Sequence, residues 1–193
     1  MVRRIGVLAL QGDFAEHKKA IQGVGAEAVE VRLPQQLDGL DGLIIPGGES
    51  TTLRKLADMY GLMEPLRTFA QKHPTWGTCA GAIMLAKDIV GQEAHLGVMD
   101  ITVQRNAFGR QINSFVTTLH IEGESYEAVF IRAPLIVAVG VGADILATLD
   151  DGRIVAAQQG HLLATSFHPE LTDDLGFHRR FLKMIERYDY AQP

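Results

Sequence analysis

Residues 75–85 read TWGTCAGAIML: a short apolar run, a turn of small residues around Cys79, and the start of a helical pattern. This order predicts a strand, a tight turn and a helix from Ala80 to about Val90. A nucleophile on such a turn needs small neighbours, because the backbone bends sharply and the substrate must approach closely. Free N–H groups at the helix N-terminus would favour a thiolate and a developing oxyanion. A free cysteine is more often a buried structural residue, but the flanking glycines favour catalysis.

The composition predicts one globular domain that spans residues 1–193. Hydrophobic residues make up 47% of the chain and charged residues 21%, which is ordinary for a soluble protein. The net charge of −5 gives no electrostatic reason to expect nucleic acid or an anionic membrane as a partner. A single cysteine excludes an intrachain disulfide and fits a reducing, cytoplasmic location. No apolar run is long enough to span a bilayer.

Strands and helices alternate in the first half of the chain. Helical spacing of apolar residues, with Gly or Pro at the ends, predicts helices at 14–24, 51–60 and 63–73. Apolar runs predict buried strands at 5–10, 28–33 and 43–46. Asp13 and Glu16 match a capping box at the start of the first helix. The βα repetition predicts a parallel sheet with helices on both faces.

After Gly91 the pattern changes to strands with no helix between them. Strand-like runs occupy 98–104, 113–121, 128–131, 136–139 and 162–167, with a hairpin over 145–158. A last helix is predicted over 173–188. The predicted fold is therefore α/β: a three-layer sandwich with a mostly parallel central sheet and antiparallel additions in the C-terminal half.

A thiol nucleophile needs a base, and the base needs an orienting group. His168 ends the last apolar strand and is followed by Pro169 and Glu170. On an extended segment, residues two apart project to the same side, so His168 and Glu170 can interact. Strand ends on the carboxyl edge of a parallel sheet are where ligand sites form. We therefore expect Cys79 and His168 to meet there, against the alternative of a surface histidine and a solvated carboxylate.

Gly47 and Gly48 follow the third predicted strand. Their backbone N–H groups can approach a substrate closely, which suits an oxyanion hole formed by Gly48 with the Ala80 N–H. The alternative is an ordinary turn.

Taken together, these motifs resemble class I glutamine amidotransferase domains, with Cys79, His168 and Glu170 as the catalytic triad. The motifs are GTCAG at 77–81, PGGES at 46–50 and HPE at 168–170. Three more narrow the resemblance to the glutaminase subunits of two-component pyridoxal 5′-phosphate synthases: QGDFAEH at 11–17, GESTT at 48–52 and QRNAFG at 104–109. The resemblance covers essentially the whole chain.

The resemblance implies further roles. Gly47, Gly48 and Glu49 match the glutamine-binding loop, Arg105 a glutamine-contacting arginine, and Ile131 and Arg132 a further substrate-contacting pair. It also implies that L-glutamine is the substrate and that ammonia passes to a synthase subunit with a (β/α)₈ barrel. From the residues alone, a surface arginine is the commoner interpretation of Arg105, and Ile131 is predicted only to be a core strand residue. No cofactor is expected, because the sequence has no phosphate-binding glycine loop with a lysine partner. No metal is expected, because one cysteine and scattered histidines lack ligand spacing.

Three alternatives remain. The domain could serve another amidotransferase. It could be another elbow-cysteine hydrolase of this fold, although Ala80 stands where those families usually carry a histidine. It could also be a non-catalytic regulatory subunit, against which the intact triad argues.

Overall fold

The computed structural model describes residues 2–106 and 114–191 of the 193-residue chain. Ala107, Phe108 and Gly109 of the QRNAFG motif lie outside the described residues. So does Asn113, the first residue of one predicted strand.

Within the described residues the chain forms five α-helices and twelve strands. The helices are α1 Phe14–Gly23, α2 Ser50–Met59, α3 Met63–Lys72, α4 Ala80–Leu85 and α5 Gly176–Ala191. The strands are β1 Arg4–Leu8, β2 Glu27–Val31, β3 Gly42–Ile45, β4 Thr75–Thr78, β5 Ala86–Ile89, β6 Met99–Gln104, β7 Ser114–Ile121, β8 Glu124–Ile131, β9 Leu135–Val139, β10 Asp144–Thr148, β11 Ile154–Gln159 and β12 Leu162–Thr165.

The main sheet has the strand order β2-β1-β3-β4-β12-β11-β9-β6-β5, and β10 pairs with β11. Its first five strands are all parallel. Strands β1 to β4 come from the βα pattern of the first half of the chain, and β12 joins them from the second half. Strands β12, β11, β9 and β6 then pair antiparallel. Strands β7 and β8 form a separate antiparallel pair. The predicted α/β fold with a mostly parallel sheet and antiparallel additions is confirmed.

Strand β3 shows how the sheet is buried on both faces. Leu43 and Ile45 belong to one apolar cluster, together with Leu53 of α2. Ile44 points the other way and belongs to a second cluster with Phe181 of α5. Successive strand residues face opposite sides, so a continuous apolar run fits a sheet between two helical layers.

Helix α4 is shorter than the sequence predicts. It contains six residues, Ala80–Leu85, and the chain then enters β5, which pairs in parallel with β6. The prediction of a helix to Val90 was wrong because this long-range pairing outweighs local helix propensity. The last helix also begins later than predicted, since the Gly176 N–H donates to the Asp174 carboxylate at 2.8 Å.

The parallel strands place four chain segments at one edge of the sheet. Residues after the carboxyl ends of β1, β3, β4 and β12 meet there, which is the usual place for a site in such a fold. No helix among the described residues is long and apolar enough to cross a membrane.

Candidate active site

Cys79 occupies a strained turn between β4 and α4. Its φ is 49° and its ψ is −104°, a region that residues other than glycine rarely adopt and that costs about 1–3 kcal/mol. The Cys79 N–H donates to the Thr165 carbonyl of β12 at 2.8 Å, which holds the turn in place. The residue is 6% exposed. This is the geometry expected of a nucleophile elbow.

The small residues around Cys79 are required by close backbone packing. A Cβ atom on Gly81 would lie 1.9 Å from the Ile45 carbonyl oxygen, and one on Gly77 would lie 2.3 Å from the Gly81 carbonyl oxygen. Neither contact can be relieved by a side-chain movement. The glycines on both sides of Cys79 therefore let α4 pack directly on the ends of β3 and β4.

His168 reaches the same edge from β12. This strand pairs in parallel with β4, and Thr165 lies opposite Thr78. Three residues later His168 is 4% exposed, and its Nδ1 lies 2.7 Å from Oε1 of the buried Glu170. The structure thus brings the predicted pair together, but not on an extended segment. Glu170 lies in a short 3₁₀-helix, Pro169–Leu171, which a proline at its first position favours.

Asp13 lies in the site, although the sequence analysis predicted only a helix-capping role for it. It occupies the N-cap position of α1, but its side chain makes no capping hydrogen bond, so the predicted capping box is wrong. Its Oδ2 lies instead 3.3 Å from Nδ1 of His168. The hydrogen bond with His168 lowers the pKa of Asp13. An aspartate before a helix is the usual sign of a cap. The one feature of the sequence that could have indicated a site role for Asp13 is its position after a predicted parallel strand.

The pKa of His168 sets the charge at the centre of the site. Burial lowers this pKa, but hydrogen bonds with Asp13, Cys79 and Glu170 raise it to about 12. Burial also raises the pKa of Glu170, and the hydrogen bond with His168 opposes that shift. The arrangement therefore favours an imidazolium at His168. A positively charged imidazole beside a cysteine is the kind of group that activates a nucleophilic thiol.

The Gly47–Gly48 turn lies against the triad. A Cβ on Gly47 would come within 2.3 Å of Cε1 of His168 and 3.3 Å of Cβ of Cys79. Gly48 has φ of 147°, a conformation that favours glycine. The Gln11 side-chain oxygen accepts a hydrogen bond from the Glu49 N–H at 3.0 Å. The segment after β1 thus contacts the turn after β3, as expected if the two strands are neighbours.

Glu49 caps helix α2 and binds Arg105. Its carboxylate accepts hydrogen bonds from the N–H groups of Thr51 and Thr52 at 3.0 and 2.8 Å. Arg105 donates from Nη2 to Oε1 of Glu49 at 2.8 Å. Burial raises the pKa of Glu49, yet the hydrogen bonds from Thr52 and Thr51 outweigh it and lower the pKa to about 2. Two residues predicted to contact glutamine are therefore in direct contact with each other.

The remaining predicted residues lie on separate elements. Ala80 is the first residue of α4 and is buried. Ile131 ends β8 and is half-buried. Arg132 follows it, exposed and with φ of 44°. Their roles toward a substrate stay predictions.

One group of side chains in the described ranges has the spacing of a metal site. Asp13, His168 and Glu170 each offer one ligand atom, and these atoms lie within 4.8 Å of one another. Two of them, His168 and Glu170, belong to the triad, and Nδ1 of His168 already binds Glu170. A metal ion there would compete with the contact between His168 and Glu170.

Comparison with known proteins identifies the family. The model of the SNO glutamine amidotransferase family matches residues 7–187. The chain belongs to this family. Two relatives named pyridoxal 5′-phosphate synthase subunit PdxT match this amidotransferase closely. The one from Geobacillus kaustophilus is 60% identical over 192 residues, 97% of each chain. The one from Geobacillus thermodenitrificans is 59% identical over 187 residues, 95% of each chain.

A solved structure supports the same family. A crystal structure of a glutamine amidotransferase superposes on this family member with a TM-score of 0.89 and 51% identity. It covers 94% of this chain and 98% of the other.

Proposed function

We propose that this amidotransferase hydrolyses L-glutamine to L-glutamate and ammonia, and that it is the glutaminase subunit of a pyridoxal 5′-phosphate synthase. The observation that carries the proposal is the strained turn at Cys79 beside the pair formed by His168 and Glu170. The names of the two Geobacillus relatives support the assignment to this synthase. The proposed domain is the whole chain, residues 1–193.

The first half of the reaction transfers the acyl group to the enzyme. The Cys79 thiolate attacks the side-chain amide carbon of glutamine, so that a C–S bond forms and an electron pair moves to the carbonyl oxygen. The His168 imidazolium gives its proton to the amide nitrogen. The C–N bond then breaks, ammonia leaves and a thioester remains.

The second half releases glutamate. A water molecule attacks the thioester, and the now neutral His168 accepts its proton. The second tetrahedral intermediate collapses with loss of the Cys79 thiolate. Glu170 stays ionised throughout and stabilises the imidazolium through its contact with Nδ1, as the carboxylate of a triad does.

Backbone and side-chain groups near the triad bind the substrate in this proposal. The N–H groups of Gly48 and Ala80 form the oxyanion hole for both tetrahedral intermediates. Gly47, Gly48 and Glu49 form the binding loop, and a guanidinium such as Arg105 suits the α-carboxylate of glutamine.

Ile131 and Arg132 complete the set of substrate contacts. Ammonia passes to a synthase subunit with a (β/α)₈ barrel, in the cytoplasm. No nucleic acid, membrane, metal or cofactor takes part in this proposal.

Substitution of the nucleophile tests the function. Cys79→Ala keeps a small residue at the turn, so we expect a folded protein whose glutamine hydrolysis, with the synthase subunit present, is at least about 10⁴-fold slower. A glutamine analogue with an electrophilic carbon should label wild-type protein once, at its single thiol, and leave the variant unlabelled. Full hydrolysis by Cys79→Ala would exclude the mechanism.

The alternatives give different results in the same assay. Another hydrolase of this fold would turn over a different substrate and would leave glutamine intact. A non-catalytic subunit would bind the synthase without any glutaminase activity. A glutaminase domain of another amidotransferase would hydrolyse glutamine but would not support pyridoxal phosphate formation.

A further inference from the structure

Two buried histidines lie behind the triad and take no part in the steps described above. His17 of α1 is 0% exposed and His178 of α5 is 2% exposed. Nδ1 of His17 lies 2.9 Å from Nε2 of His178. Nε2 of His17 lies 3.1 Å from Oγ1 of Thr78, the residue before the nucleophile. The same nitrogen is 3.3 Å from Oε2 of Glu170.

The side-chain oxygen Oε2 of Glu170, at the end of this series of contacts, needs a hydrogen-bond partner. Oε1 of Glu170 binds His168, whereas the buried Oε2 has no hydrogen-bond partner among the described residues. A buried carboxylate oxygen without a compensating dipole favours the neutral acid. Nε2 of His17 is the ring nitrogen that lies beside Oε2. The stability of the ionised form of Glu170 therefore depends on whether Nε2 of His17 carries a hydrogen.

Both histidines are neutral at neutral pH. Burial lowers the pKa of His17 well below its usual value, and the nearby His178 and His168 lower it further. Burial lowers the pKa of His178 to about 4, against a small opposing effect of Asp174. Each ring then carries a single N–H. Only two arrangements of these two hydrogens are compatible with the bond between the rings.

In one arrangement His17 donates from Nδ1 to His178. The hydrogen of His178 then lies on its Nδ1, a buried atom without a hydrogen-bond partner in the described structure. The lone pair on Nε2 of His17 also faces the carboxylate oxygen at 3.3 Å. A buried N–H is left unpaired and two electron-rich atoms face each other, and both effects are unfavourable.

In the other arrangement His178 donates from Nε2 to Nδ1 of His17. The hydrogen of His17 is then on Nε2, where it points to Oγ1 of Thr78 and lies beside Oε2 of Glu170. The atom left without a partner is a bare ring nitrogen on His178, which costs less than an unpaired N–H. This arrangement stabilises the charge on Glu170 instead of opposing it.

We propose that His17, fixed in its Nε2–H tautomer by His178, is a positioning residue that keeps Glu170 ionised and its Oε1 directed at His168. The inference rests on the proposed function, because Glu170 matters only if the triad is catalytic. His17 does not touch the substrate. It acts through Glu170, much as outer-shell partners orient the groups they contact.

The expected consequence is a change in the pH dependence of the reaction. Glu170 must be ionised to support the His168 imidazolium, so activity is lost as the pH falls through the pKa of Glu170. Removing the His17 N–H favours the neutral acid, which raises that pKa and moves the acidic limb of kcat/KM to higher pH. The titratable groups that face this position are Asp13 and His17 of the α1 region, Asp174 and His178 of the α5 region, His168, Glu170 and Cys79.

The first test is the tautomer itself, measured on the full-length wild-type chain. Two-dimensional NMR that correlates ring carbon-bound hydrogens with both ring nitrogens separates the two neutral tautomers and the cation. We expect Nε2–H for both His17 and His178 across neutral pH. An Nδ1–H tautomer or an imidazolium at His17 would overturn the proposal. This result does not depend on glutaminase activity, so it also separates failure of this inference from failure of the proposed function.

The second test uses two variants with their synthase partner present. His17→Gln keeps an N–H donor near the position of Nε2, whereas His17→Phe removes it at similar size. We expect His17→Phe to lower kcat about tenfold with little change in KM, and to shift the acidic limb to higher pH. His17→Gln should retain the wild-type limb. The surface variant His73→Gln is the matched control.

Each result bears on the proposal. A folded His17→Phe variant with the wild-type acidic limb, or equal losses in both variants, would contradict it. If His17→Phe does not fold, the comparison of His17→Gln with wild type and the tautomer measurement still decide. The proposal is supported if the acidic limb of kcat/KM in His17→Gln lies at the wild-type pH and NMR shows the Nε2–H tautomer of His17.

Discussion

At the residue scale, the site depends on a cysteine in an unfavourable conformation and a histidine in an unusual charge state. The turn at Cys79 costs about 1–3 kcal/mol and is held by the bond from its N–H to Thr165. The histidine is held as an imidazolium by two carboxylates. Glu170 is buried and lies 2.7 Å from Nδ1, whereas Asp13 is partly exposed and lies 3.3 Å away. The shorter, buried contact should carry most of the effect on catalysis.

Glu170→Gln tests that expectation. The glutamine has nearly the same shape but no charge, so it can no longer stabilise the imidazolium. By analogy with other triads, we expect turnover to fall by up to about 10⁴-fold, and His168→Asn should be at least as damaging. Steady-state glutaminase assays measure the loss, with the exposed Glu186→Gln as control. An unaltered rate would remove Glu170 from the mechanism and leave a Cys-His dyad.

Asp13→Asn should act more weakly and on the other side of the pH profile. The raised pKa of His168, about 12, means that the imidazolium persists below that pH and is lost as the pH rises through it. Removing one of the groups that raise this pKa lowers it, so the alkaline limb of kcat/KM should move to lower pH. A partly exposed ion pair contributes up to about 1 kcal/mol, so the rate at neutral pH should change by no more than about fivefold.

The control for Asp13→Asn is Asp38→Asn, an exposed aspartate outside the site. Its pH profile should match that of the wild type. A shift of the acidic limb instead of the alkaline limb in Asp13→Asn would mean that Asp13 acts on a group other than His168.

At the element scale, the order of strands and helices could largely be predicted from the sequence, but several details could not. The small residues around Cys79 and the apolar run before His168 identify two strand ends, because local pattern reports local structure. The end of α4 at Leu85 depends on pairing between β5 and β6, which no local pattern encodes. The direction of the Asp13 side chain depends on a histidine far along the chain. Contacts between residues far apart in the sequence therefore determine both the end of α4 and the direction of the Asp13 side chain.

The contact between two loops also lies at this scale. The Gln11 side chain, after β1, holds the Glu49 N–H after β3, next to the Gly47–Gly48 turn. Glycine tolerates both signs of φ, so this turn is able to reverse its peptide orientation. We expect the isolated chain to hydrolyse glutamine slowly and the synthase subunit to raise the rate, with residues 11–17 as the segment that responds to the partner.

Gln11→Ala is the variant that tests this coupling. It removes a hydrogen bond worth about 1 kcal/mol, so the ratio of rates with and without the synthase should fall by about fivefold. Paired glutaminase assays measure the ratio. Gln35→Ala serves as control, because Gln35 is exposed in a short 3₁₀-helix outside the site. Equal rates of the wild type with and without the synthase would refute the coupling altogether.

At the scale of the whole molecule, the parallel half of the sheet brings segments from both ends of the chain to one site. Asp13 follows β1, and His168 follows β12, yet the two side chains meet at 3.3 Å. The site is therefore complete only when β1, β3, β4 and β12 have all paired. Cys79 and Glu170 are both buried, so the proposed reaction would release ammonia in a largely enclosed place.

Ammonia released into neutral water is mostly protonated and no longer nucleophilic, so a pair of enzymes that uses it must exclude solvent between the two sites. In this proposal the chemistry at Cys79 is the only source of that ammonia. A complex of the synthase with the Cys79→Ala variant should therefore make no product from glutamine, yet should still make it from a high concentration of ammonium salt. The wild-type complex should use either nitrogen source. With glutamine as donor it should also resist an ammonia-consuming enzyme, because channelled ammonia does not reach the bulk solvent. Loss of product on adding that enzyme would mean free diffusion, and would exclude channelling even if glutamine hydrolysis at Cys79 were established.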